Sequence, residues 1–62
     1  MNREEIMAAI RMLANSQGFY SRLLRNIEDA KENDPDNYEE LMCKLEAQNF
    51  KDAVDLILYL ET

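Results

Sequence analysis

A chain of 62 residues has room for one domain with one small core, because at this length folding buries only about 60% of the surface exposed by the unfolded chain. Residues of the AVILMFWYC set make up 47% and charged residues 32%, a globular composition that argues against a wholly disordered chain. Thirteen acidic against seven basic residues give a net charge of −6, which disfavours nonspecific attraction to phosphate or anionic lipid.

The first predicted element is introduced by Asn2 and Glu5, a capping residue followed three positions later by a glutamate that reaches back to the free backbone amides. Ile6, Ala9, Ile10 and Leu13 then recur at i, i+3, i+4 and i+7 and line one face of a helix from about Arg3 to Ala14, with Met7, Met12 and Ala14 widening the stripe. Asn15-Ser16-Gln17-Gly18 interrupts the pattern. Either Ser16 caps the next helix or Gly18 supplies a left-handed stop to the first. Tyr20, Leu23, Leu24, Ile27 and Ala30 resume the period, with Phe19 alongside, over about Gln17 to Lys31.

Glu32-Asn33-Asp34-Pro35 is the clearest punctuation, since proline at the first helical position loses no hydrogen bond and Asp34 can cap. Tyr38, Leu41, Met42 and Leu45 give the third stripe, on a helix from Pro35 to about Ala47, supported by the acid-first pair Glu40 and Lys44. Gln48-Asn49-Phe50-Lys51 breaks the period, with Asn49 suited to a left-handed conformation. Asp52 and Asp55 signal the last helix start. From Ala53 to Leu60 the segment is apolar on nearly every side apart from Asp55. Such a helix is normally the buried hub of a bundle, or it carries a second face for a dimer or partner; a strand is the third reading of so short an apolar run.

These elements predict an all-α fold, a single compact domain of four short helices. Ile6, Ile10, Leu13, Leu23, Leu24, Ile27, Leu41, Leu45, Val54, Ile57 and Leu58 are the expected core. The longest apolar run, Leu56 to Leu60, is too short to span a bilayer, and the charged start does not look like a secretory signal, so a cytoplasmic protein without membrane association is expected.

Charge is unevenly distributed. Residues 1–27 hold four arginines against two glutamates, a net of +2, and residues 28–62 hold three lysines against eleven acids, a net of −8. Cys43 is the single cysteine and histidine is absent, which excludes an intramolecular disulfide, zinc held by clustered thiolates and a Cys/His nucleophile pair. Cys43 itself is expected as a small half-buried residue on a helix. The acidic run Asp29 to Glu40 has the length of a calcium loop but places Lys31 third and Asp34 sixth, where the loop needs an oxygen ligand and a glycine. It reads as a solvated acidic surface. No phosphate loop, nucleophile motif or metal spacing is present, and no enzyme activity or cofactor is expected.

The most distinctive stretch is Ser16-Gln17-Gly18-Phe19-Tyr20-Ser21-Arg22-Leu23-Leu24-Arg25. Phe19, Tyr20, Arg22 and Arg25 are the candidate partner-binding residues: an aromatic anchor beside two arginines one turn apart matches the residue types enriched at binding hot spots. Adjacent aromatics cannot both face one core, so one of Phe19 and Tyr20 is expected to be partly exposed.

The segments Ala14-Asn15-Ser16-Gln17-Gly18-Phe19-Tyr20-Ser21-Arg22-Leu23-Leu24 and Ala47-Gln48-Asn49-Phe50-Lys51-Asp52-Ala53-Val54-Asp55-Leu56 resemble small uncharacterised proteins encoded on conjugative or other mobile elements of gut bacteria. The resemblance implies a bacterial cytoplasmic accessory protein and transfers no functional residue. A non-enzymatic protein-interaction module is the leading expectation, because small helical domains without catalytic residues commonly work by presenting a helix face or groove. The alternatives are a nucleic-acid-associated regulator using Arg22 and Arg25, disfavoured by the net charge, and a structural homodimer closed through the last helix.

Overall fold

The chain enters its first helix through a reciprocal pair. The Asn2 side chain accepts the Glu5 amide at 2.8 Å, and the Glu5 carboxylate accepts the Asn2 amide at 3.0 Å. In the computed structural model, which describes residues 1–61, this capping box opens α1 (Arg3–Ser16). α1 runs two residues past its expected end, and Ser16 lies inside it, its hydroxyl donating to the Met12 carbonyl at 3.2 Å.

One extended residue, Gln17, makes the whole turn into α2 (Gly18–Asn33). Its amide donates to Leu13 at 2.8 Å and its carbonyl accepts from Tyr20 at 3.1 Å. Ser16 is thus not a cap, and Gly18 has no positive φ, so neither expected boundary device is used. The Ser21 hydroxyl, donating to Ala14 at 3.1 Å, holds the start of α2 against the end of α1.

Asp34 caps α3 (Pro35–Ala47) by accepting the Asn37 amide at 3.4 Å, and Pro35 opens the helix as its position requires. Beyond α3, Asn49 adopts the left-handed conformation at φ 55°. Asp52 accepts the amides of Val54 and Asp55 at 3.0 and 3.2 Å, and Asp55 accepts the Lys51 amide at 3.1 Å, which starts α4 (Ala53–Glu61). The result is an all-α fold of four short helices with no strand among the described residues, so the strand reading of the last segment is excluded. A radius of gyration of 11.0 Å is close to the roughly 10.6 Å of a compact chain this long.

The centre of the bundle is α1, which packs against all three other helices; the backbone of α4 comes close to α1 alone. This corrects the expectation that the most apolar helix is the hub. Ile6, Met7, Ala9 and Ile10 bury an arc of about 160° around α1, at roughly 100° per residue, wide enough to meet several neighbours. α4 has nine residues and fully buries only Leu56.

Of the expected core, Ile6, Ile10, Ile27 and Leu45 are buried, and Leu13, Leu23, Leu24, Leu41 and Ile57 are half-buried. Val54 and Leu58 are exposed, because Leu56 is the residue of α4 that faces the core. Tyr20, Tyr38, Met42 and Phe50 are buried as well. Cys43 is exposed rather than half-buried, since α3 turns Met42 and Leu45 inward and leaves the intervening position to solvent.

Candidate functional site

The four candidate residues begin α2 but do not form one site. Phe19 is 75% exposed, whereas Tyr20 is buried, and their rings meet edge to face with centroids 5.3 Å apart. The expected division between adjacent aromatics is therefore resolved with Phe19 outside. Tyr20 is engaged within the chain, its hydroxyl donating to the Glu61 carboxylate at 2.9 Å. Burial, and then that hydrogen bond, push the phenol above its ordinary 10.0 by favouring the neutral form.

Phe19, Tyr20 and Arg22 line a shallow cavity of about 260 Å³ with Leu23, Asn26 and Leu60. Arg25 instead borders a wider cavity of about 710 Å³, together with Met7, Arg11, Lys31, Tyr38 and the acids Glu28, Asp29 and Glu32. Among the described residues neither Arg22 nor Arg25 makes an ion pair. The two guanidinium groups are presented to different hollows and do not act as one clamp.

The cation that joins two helices through ion pairs is Arg3. Its guanidinium bridges Glu39 at 2.8 Å and Glu46 at 2.9 Å, joining α1 to α3, and lies 5.7 Å from the centroid of the Tyr38 ring. Hydrogen bonds to Glu39 and Glu46 raise its pKa further above its ordinary value. Lys31 lies 5.9 Å from the same ring. This cluster is structural, and residues 36 and 43 positions apart gave no local signal for it.

A third hollow, about 420 Å³, separates α1 from α4 and is almost wholly apolar. Ala8, Ala9, Met12 and Leu13 form one wall, Ala53 and Ile57 the other; Ser16 also lines it, and its two charges are the Glu5 carboxylate and the Met1 amino group. The two helices run in the same direction. The Met1 amino group donates to the Phe50 carbonyl just ahead of α4, and Tyr20, just beyond α1, holds Glu61 at the far end of α4.

Exposed apolar side chains continue this groove outward. Met12 is 71% exposed on α1, and Val54 and Leu58 are 61% and 59% exposed on α4. Val54, Ile57 and Leu58 stand at i, i+3 and i+4, so they share one face with the groove wall. The sequence signal for this surface was Met12 at the edge of the first stripe and the all-round apolarity of the last helix.

Among the described residues no group of three or more acidic or sulfur side chains is placed to hold a metal ion, and no helix is long and apolar enough to cross a membrane. The chain matches no family model, no curated protein and no solved structure.

Proposed function

We propose that the protein is a non-enzymatic interaction module, a cytoplasmic accessory protein that works by presenting a helical face to a protein partner. The observation that carries this reading is the apolar surface made by the α1–α4 groove with Met12, Val54 and Leu58 around it. A monomer this small has few apolar residues available for its own core, and leaving large ones outside it has a cost in solubility that a partner removes. Phe19 stands at the α2 end of α4 as a second apolar contact, with Arg22 beside it in the same shallow cavity.

The test is affinity capture from nuclease-treated bacterial lysate, comparing the parent chain with a Met12→Asp, Leu58→Asp variant and with a Phe19→Asp, Arg22→Glu variant. A partner retained near stoichiometry by the parent and lost with the first variant is the expected result. Identical retention by all three proteins overturns the reading. Recovery of nucleic acid without nuclease, dependent on Arg22 and Arg25, would put the regulator reading in its place.

The outward face of α4 also favours a second reading, a homodimer closed through that helix. Light scattering over a hundredfold range of concentration tests it, since a constant monomer mass excludes the dimer.

A further inference from the structure

We infer that a second copy of this chain is a partner of α4, and that the two copies join by exchanging the segment from Phe50 to Glu61. The inference goes beyond a helical face presented to a foreign protein, and it differs from closure of two α4 helices face to face.

The seat for the exchanged segment is already seen within one chain. The backbone of α4 comes close to α1 alone, and Leu56 is fully buried among the core side chains. The two ends of the segment are held by Met1 on the Phe50 carbonyl and by Tyr20 on Glu61. None of these contacts depends on which copy supplies α4, so a partner's segment remakes every one of them. The occupant's fit is therefore displayed by the closed chain itself.

The segment also moves as a unit. Asp52 caps α4 from within, Lys51 donates its amide to Asp55, and the Phe50 and Tyr59 rings meet with centroids 5.4 Å apart. What ties the segment to α3 is a reversal at Gln48 and Asn49, whose amides donate to the Leu45 and Glu46 carbonyls at 3.3 and 3.2 Å. Asn49 stands at φ 55°, the one non-glycine residue of positive φ among the described residues, and this left-handed form costs an L-residue free energy. Opening the reversal releases that cost in both copies, as at other short hinges that favour exchange. Leu45-Glu46-Ala47-Gln48 consists of strong helix formers, so α3 has the composition to run on through the opened hinge. The opposing effect is charge, since each copy brings a net −6.

The experiment refolds the full chain from urea at about 1 mM in about 0.3 M sodium chloride, enough to screen charges beyond roughly 6 Å. Mass is read by light scattering. Copies labelled separately with nitrogen-15 and carbon-13 are refolded together, and isotope-filtered NOE spectra record contacts between copies. A dimer is expected, with intermolecular contacts from α1 of one copy to α4 of the other. Asn49→Gly, which relaxes the closed reversal, should weaken dimerisation about tenfold, and Asn49→Ala, which disfavours it, should strengthen dimerisation about tenfold, two hinges acting in each dimer. Asn49→Gly keeps the closed turn and folds as the parent does, so the hinge is tested even where Asn49→Ala unfolds.

A constant monomer mass for the parent overturns the inference and leaves capture of a foreign protein standing. A dimer whose intermolecular contacts run only from α4 to α4, through Val54 and Leu58, is face-to-face closure and overturns it as well. So does a dimer whose stability is unchanged by Asn49→Gly.

Discussion

α1 and α4 are both apolar helices lying side by side, yet the less apolar of the two is the centre of the fold. α1 confines its large residues to one broad arc, leaves charges elsewhere, and so commits each position to inside or outside. α4 has apolar residues on nearly every side and only nine positions, so the contacts around it decide which of them is buried. The comparison teaches that burial follows the direction and length of an apolar pattern more closely than its total hydrophobicity.

The sharpest way to break this comparison is truncation at the centre. A chain of this size has a total stability of about 3–9 kcal/mol, at 0.05–0.15 per residue. Ile10→Ala, at a fully buried site on α1, should cost about 2–5 kcal/mol, half or so of that total, and give the largest drop in the midpoint of a urea titration. Ile57→Ala, at a half-buried site on α4, should cost about 1 kcal/mol, inside the ordinary range for single substitutions. Equal losses at the two sites would mean that α4 contributes as much core as α1.

Smaller effects sharpen the same contrast. Tyr20→Phe removes the hydroxyl that ties α2 to the end of α4 and should lower the melting temperature by less than Ile10→Ala. The phenol is raised in the folded state, so the stability it contributes is fully present below its unfolded value near 10 and is lost as pH rises through the higher folded value. The melting gap between parent and Tyr20→Phe should therefore narrow above pH 10; a gap constant to pH 11.5 would refute the assignment. Leu58→Asp, which puts a negative charge near the C-terminal end of α4 in place of a partly covered leucine, should cost the monomer about 1 kcal/mol, less than Ile10→Ala in the urea titration. At Gly18, φ is not positive and an added Cβ meets nothing within 4 Å, so Gly18→Ala should stabilise by about 0.5 kcal/mol in the same urea titration.

Elements whose ends carry their own chemistry were legible before the fold was seen. Asp34-Pro35 placed the start of α3, Asn2 with Glu5 placed that of α1, and Asn49 marked the left-handed stop. The first three stripes located most of the buried positions on α1, α2 and α3. On α4 the sequence offered Val54, Ile57 and Leu58 with no less claim to the interior than Leu56. The choice among them depends on where Phe50 and Glu61 are held, and those ties come from distant residues. The Arg3 bridge was hidden for the same reason.

Of the candidate site, the aromatic pair was legible and its orientation was not. Phe19 and Tyr20 were recognisable as rivals for one inward position, and the Glu61 hydrogen bond that accompanies the burial of Tyr20 lies 41 residues away. The α1–α4 groove was legible only as an excess of apolar residues on the last helix and an outlying Met12.

Because the backbone of α4 comes close to α1 alone, the chain has a natural order of undoing. The last helix can peel away while the first three remain packed, so its amides should exchange with solvent deuterium through a partial opening whose free energy lies below that of global unfolding. Low urea should leave that opening almost unchanged while the slow amides of α1 accelerate, and the groove would then be the hinge line along which the molecule first comes apart.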